Sequence, residues 1–178
     1  LLSDFELFGV MDKDRMEMME EALDAMLELW GTDPPYNIHG EHWDIEMKDW
    51  THHDIKLGYV PKPLQQPHPP VAISAMSPSS GSLRFAGKRG YMPVSANFIA
   101  NWSLKTHWPT YCAGADEGGQ TADPENWHVA RSIFVDETDA AAEAFSTTPG
   151  GTMDYYYEYL FTIFDRSDFK APFVANLG

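Results

Sequence analysis

The run Val71-Ala72-Ile73-Ser74-Ala75-Met76 constrains the chain more than any other segment. It is short, apolar and bounded by turn residues, the pattern of a strand buried on both faces of a parallel sheet. Ser77-Pro78-Ser79-Ser80-Gly81 follows at once, and Leu83, Phe85 and Ala86 begin a short helical segment that ends at Gly90. The same strand-then-helix step returns twice. Tyr91 to Ala96 is a second strand, weakened by Pro93, and 98–117 is helical with an interruption near Pro109. Trp127 to Val135 is the most regular strand, with Val129, Ile133 and Val135 on one face. Asp136 or Thr138 caps the helix built on Ala140 to Ala144. Pro149-Gly150-Gly151 ends that helix, and Tyr155 to Phe164 forms the last one. Strands alternating with helices in this order require parallel pairing through right-handed crossovers. Three strands fall short of the eight of a closed β/α barrel or the usual five or six of a doubly wound sheet. The chain therefore reads as a small open α/β domain or as part of a barrel.

Upstream the texture differs. Met16, Met19, Leu23, Met26, Leu27 and Trp30 recur at three- and four-residue spacing, which predicts an amphipathic helix over 12–30. Asp12 is its expected N-cap, and Gly31 with Pro34 and Pro35 ends it. The Met stripe reads as core packing rather than a ligand lining. Residues 34–70 hold Pro34, Pro35, Pro61, Pro63, Pro67, Pro69 and Pro70, so no continuous helix or central strand fits there. Trp43, Ile45 and Met47, and later Ile55, Leu57 and Tyr59, alternate with polar residues and predict a short two-stranded ribbon. A connection this long is an excursion from the main fold or a functional loop.

Charge narrows the partners. Twelve Lys and Arg against 27 Asp and Glu leave the 178-residue chain at −15, the wrong sign for neutralising nucleic-acid phosphates. No apolar run approaches the roughly 20 residues of a membrane span, and a cytoplasmic protein is expected. The single cysteine, Cys112, excludes an internal disulfide and a cysteine zinc site. The chain starts at Leu1 without an initiator Met and stops just after the apolar stretch 173–177, which suggests an incomplete chain, with processing or disordered ends as an equal alternative.

Three groups of residues invite chemistry. His39, His42, Asp44, His52, His53 and Asp54 are metal-ligand types, but their spacing lacks a helical i, i+4 pair, and no metal site is expected. Cys112 has no evident His partner and reads as a structural thiol. No nucleophile elbow, Walker loop or dinucleotide fingerprint occurs. The Ser-rich turn is more informative. Ser77, Ser79, Ser80 and Gly81 stand where ligands bind in parallel α/β folds. They also open a helix, whose unpaired N–H groups attract anions. Hydroxyls beside a glycine suit a phosphate, with Arg84 one turn on to add charge. A plain Ser N-cap and tight turn is the alternative.

Several stretches taken together resemble the luciferase-like flavin monooxygenases. They are Lys62-Pro63-Leu64-Gln65-Gln66-Pro67-His68-Pro69-Pro70-Val71-Ala72 running into Ser77-Pro78-Ser79-Ser80, and Ala86-Gly87-x-x-Gly90. Arg15 to Trp30 resembles the family's fourth barrel helix, and His39-Gly40-Glu41-His42-Trp43 the ribbon before its fifth strand. Trp127-His128-Val129-Ala130-Arg131 with Val135 to Ala140 resembles the seventh strand and the helix that follows. The branch is most similar to limonene and diketocamphane monooxygenases.

The resemblance implies a (β/α)8 TIM barrel of which the chain covers about helix 4 to helix 7, with three of eight strands. Residues 1–178 then form one partial barrel domain, with 12–30 as helix, 34–70 as the Pro-rich excursion, 71–165 as three β/α units and 166–178 leading toward the last strand. The implied activity is oxygenation of a small hydrophobic substrate (terpene, ketone or aldehyde) with O2 and reduced FMN supplied by a separate flavin reductase. A homodimer is expected when the protein is intact. Catalytic residues are expected outside these strands, and none is named. Relatives hold the FMN phosphate at the end of the fifth strand, which implies cofactor binding by Met76, Ser77, Ser79, Ser80 and Gly81. Two departures weaken the match: luciferase has a glutamate where this chain has Met76, and the turn here is about two residues longer. A non-catalytic flavin-binding relative and a deazaflavin-dependent enzyme of the same fold remain alternatives.

Overall fold

The computed structural model describes residues 2–166. The chain forms two compact units, one up to Pro70 and the other from Val71 on. The division falls where the sequence changes texture. No helix among the described residues is long and apolar enough to cross a membrane.

The first unit contains α1 (Leu2–Leu7), α2 (Arg15–Gly31) and an antiparallel ribbon of β1 (Tyr36–His39) and β2 (Asp44–Met47). The cap of α2 is Asp14, not Asp12, because the Asp14 carboxylate reaches the N–H groups of Met16 and Glu17 at 2.9 and 3.1 Å. Lys62 closes the other end, where its ammonium meets the carbonyls of Leu29 (2.9 Å) and Thr32. A cation there complements the negative end of the helix dipole. The ribbon pairs Tyr36 with Met47 and His39 with Asp44. This corrects the expected pairing of 43–47 with 55–59: the later stretch makes only one bridge, His52 with Leu57. Alternation marked β2 properly, but its partner lies upstream, across the tighter turn. Met26, Leu29 and Trp30 of α2 share a small apolar cleft with Trp43, Ile45 and Val60.

In the second unit β3 (Ala72–Ala75), β4 (Met92–Ser95) and β5 (His128–Val129) form a parallel sheet in that order. Between them run α3 (Gly81–Arg89) and α4 (Asn101–Gly118), followed by α5 (Asp139–Ser146) and α6 (Thr152–Arg166). Two sheets and no closed barrel are present among the described residues. Pro93 sits inside β4 and is fully buried. Pro109 lies within α4 without ending it, so the expected interruption is absent. Neighbouring Trp108 stacks on both Tyr111 and Trp127, at 5.4 and 5.6 Å between ring centres. The expected strand Trp127–Val135 shrinks to two residues, and Ile133 and Val135 are each 82% exposed. β-Branched composition favours extended backbone, but after the Ala130 N–H reaches the Ser95 carbonyl at 3.0 Å the segment finds no further partner strand among the described residues. Thr138, not Asp136, caps α5 through a bond from the Ala141 N–H.

α3 and α4 touch backbone to backbone. A Cβ on Gly114 would lie 2.0 Å from the Arg84 carbonyl oxygen, one on Gly118 would lie 2.0 Å from that of Lys88, and one on Gly87 would lie 2.1 Å from that of Tyr111. Only hydrogen at these Cα atoms permits the contact, which suits Cα–H to carbonyl approach. Gly90 caps α3 at φ +71°, a left-handed position that glycine takes without penalty. The Ala86-Gly87-x-x-Gly90 motif is thus one close contact and one helix stop.

Candidate functional site

The β3–α3 turn gathers four of the five expected residues at the carboxyl end of the sheet. Ser80 is the N-cap of α3, yet its hydroxyl makes no capping bond. It lies instead 2.8 Å from Ser82 Oγ, which donates to the Ser74 carbonyl at 3.1 Å. With Ser82 donating onward, the Ser80 proton is spent on Ser82 Oγ. The hydroxyls of Ser77 and Ser79 have no partner among the described residues.

The backbone is more telling. The first turn of a helix leaves its N–H groups without intrahelical acceptors, and among the described residues those of Ser80, Gly81 and Ser82 meet none. A Cβ on Gly81 would meet nothing within 4 Å, so there is open space beside the glycine at the start of α3. An anion with several oxygens fits this geometry, with α3's dipole adding attraction. Met76, the fifth residue, is 42% exposed and brings a thioether without a donor, so it offers only backbone.

Arg84 does not supply the expected charge. Its guanidinium forms a two-pronged pair with Glu117, with Nε donating at 3.1 Å, and the pairing raises its pKa. The same pairing lowers the Glu117 carboxyl.

The turn is held from α4 by residues that carry no sequence signature. The Ser79 N–H donates to Thr106 Oγ1 at 2.7 Å, and Thr106 donates to the Ser103 carbonyl at 2.7 Å. This supports Ser79 at φ +48°, a left-handed conformation that costs a non-glycine residue roughly 1 kcal/mol. His107 Nε2 meets the Ser77 carbonyl at 3.0 Å, and its Nδ1 meets Ser95 Oγ at 2.9 Å. Burial holds the imidazole below its ordinary pKa, with Arg131 adding to the effect and the Ser77 carbonyl opposing it. Arg131, just past β5, donates to the carbonyls of Asn97 and Ile99 at 3.4 and 3.1 Å and to Asn101 Oδ1 at 3.1 Å. It ties the segment after β5 to the loop after β4.

The histidine cluster does not converge. His39 bonds Asp44 (2.8 Å) and Asn37 (3.1 Å), and His53 bonds the Tyr59 hydroxyl. His42 lies near Glu17 and Glu41, their candidate ligand atoms all within 4.8 Å of one another, with both carboxylates on exposed residues. Burial raises the Cys112 pKa, which keeps it a thiol rather than a nucleophilic thiolate.

Comparison with known proteins places this geometry in context. Residues 2–170 match the family model described as luciferase-like monooxygenase. The 3,6-diketocamphane 1,6-monooxygenase of Pseudomonas putida is 32% identical over 179 residues, covering 96% of this chain and 45% of that protein. From the same organism, 2,5-diketocamphane 1,2-monooxygenase 2 is 25% identical over 181 residues, covering 100% of this chain and 48% of that protein. A solved structure of the oxygenating constituent of 3,6-diketocamphane monooxygenase, a type II Baeyer-Villiger monooxygenase from Pseudomonas putida in complex with FMN, superposes with a TM-score of 0.75. The match has 26% identity and covers 96% of this chain and 47% of that one. The chain thus spans a little under half the length of these relatives.

Proposed function

The chain belongs to the luciferase-like monooxygenase family, and on that premise we propose that its β3–α3 turn holds the FMN phosphate in a flavin-dependent monooxygenase. In this reading the whole protein is a (β/α)8 barrel, and the chain supplies about the fourth helix to the seventh. The sides of β3 and β5 that have no partner among the described residues are where such a barrel would add its neighbouring strands. Reduced FMN comes from a separate flavin reductase, O2 is the co-substrate, and the substrate is a small hydrophobic terpene, ketone or aldehyde.

The bound flavin supplies the oxygen-transfer chemistry. This chain's residues would bind and orient it: the N–H groups of Ser80, Gly81 and Ser82 and the hydroxyls of Ser77 and Ser79 would donate to the phosphate. Met76 contributes backbone only. The net charge of −15 opposes an incoming dianion, so attraction has to come from oriented dipoles at contact distance. The amides and hydroxyls of this turn that meet no partner among the described residues, at the carboxyl ends of parallel strands, carry the reading.

Titration of the intact protein with FMN and with riboflavin, followed by quenching of flavin fluorescence, tests it. FMN is expected to bind at least tenfold more tightly, and the double variant Ser77→Ala, Ser79→Ala to lose much of that preference. Equal affinity for the two flavins would sink the reading.

A further inference from the structure

One line of hydrogen bonds reaches the turn from across the sheet. The Trp127 Nε1–H donates to Ser95 Oγ at 2.9 Å, Ser95 Oγ lies 2.9 Å from His107 Nδ1, and His107 Nε2 lies 3.0 Å from the Ser77 carbonyl oxygen. The carbonyl end fixes the donor at Nε2, because a carbonyl can only accept, and in a neutral ring Nδ1 is then bare. Nε2 therefore carries the ring proton, and bare Nδ1 accepts from the Ser95 hydroxyl. A charged ring would instead donate from Nδ1 to the Ser95 oxygen, a form that burial of the imidazole disfavours. Ser95 and His107 are both 0% exposed, so water cannot stand in for a lost member.

We propose that His107 is a positioning residue for phosphate binding, locked by Trp127 and Ser95 as the Nε2–H tautomer so that it sets the Ser77 carbonyl and the path of the turn. This rests on the FMN-phosphate reading. Thr106, next to it on α4, pins the Ser79 amide. Two consecutive α4 residues thus grip the turn on either side of Pro78. Without the imidazole, the Ser77–Pro78 peptide loses its only polar anchor among the described residues. The downstream amides then lose the carbonyl anchor that fixes the start of the turn. The effect is expected to be specific to phosphate, because among the described residues His107 bonds only the turn and Ser95.

The test is flavin titration of the intact protein and its variants His107→Phe, which keeps a ring without donors, and His107→Gln, whose amide can still donate to Ser77. His107→Phe is expected to cut the preference for FMN over riboflavin at least tenfold while riboflavin affinity stays within twofold. His107→Gln is expected to recover most of that preference. Unchanged preference in folded His107→Phe, or equal loss for both flavins, would overturn the proposal. Nitrogen-15 NMR of the wild-type ring gives a readout independent of any variant's folding: a neutral Nε2–H imidazole is expected, and an Nδ1–H or charged ring would overturn the relay. Wild-type protein with no preference for FMN would overturn the phosphate reading itself, while the ring's tautomer still reports whether the relay exists.

Discussion

Two turns among the described residues line up backbone N–H groups, and they differ in what those groups meet. At the ribbon turn, the amides of Glu41, His42 and Trp43 close on the Glu21 carboxylate at 2.7–3.2 Å. Burial alone would raise the Glu21 pKa, but the donated bonds outweigh it and hold the carboxyl below its ordinary range. At the β3–α3 turn, the amides of Ser80, Gly81 and Ser82 meet no acceptor among the described residues. The glycines record the same difference. A Cβ on Gly40 would strike the Glu21 carboxylate at 1.9 Å, whereas one on Gly81 would touch nothing within 4 Å. A backbone anion site is structural when the chain brings its own anion, and it is free for a ligand when the chain does not.

The largest effect should come from removing the platform beneath the open turn. Gly114→Ala forces a methyl into the Arg84 carbonyl and is expected to cost about 3 kcal/mol of stability in urea unfolding. The ribbon turn, in the other unit, should keep its amide shifts. Next comes Gly81→Ala, which meets no protein atom. It should leave the melting temperature unchanged or slightly raised, while FMN loses about tenfold in affinity, roughly 1.4 kcal/mol. A matched loss of stability would show that the glycine serves the fold.

The filled turn should respond to acid instead. Because the Glu21 pKa is lowered on folding, its contribution is present above the ordinary carboxylate value and is lost as pH falls through the lowered one. Wild type and Glu21→Gln should therefore differ in the amide shifts of residues 41–43 at neutral pH and converge in acid. A constant difference would refute the account of that turn. Ser79→Gly should matter least, within about 0.5 kcal/mol, because relief of the φ of +48° is offset by the greater freedom of glycine in the unfolded chain.

What the sequence revealed follows the range of the forces involved. Local signals placed α2, β3, α3 with its Gly90 stop, and the serine turn, because helical spacing, apolar runs and turn residues act over a few neighbours. The grip on the turn was hidden: Thr106 and His107 sit mid-helix with no motif, and only tertiary packing brings them to Ser79 and Ser77. The pairing of α3 with α4 through Gly87, Gly114 and Gly118 was hidden for the same reason. Ile133 and Val135 show the opposite error, since strand-forming side chains make a strand only where a partner backbone is in reach. Arg84 was assigned to the turn by proximity in sequence, but Glu117 on α4 claims it.

The most direct test of the contrast between the turns is amide NMR of the intact protein titrated with FMN and, separately, with riboflavin. The N–H signals of Ser80, Gly81 and Ser82 should move with FMN and stay nearly still with riboflavin, while those of Glu41, His42 and Trp43 stay put with both. Equal movement with the two flavins, or no movement at 80–82, would contradict the claim that the open turn is the phosphate site.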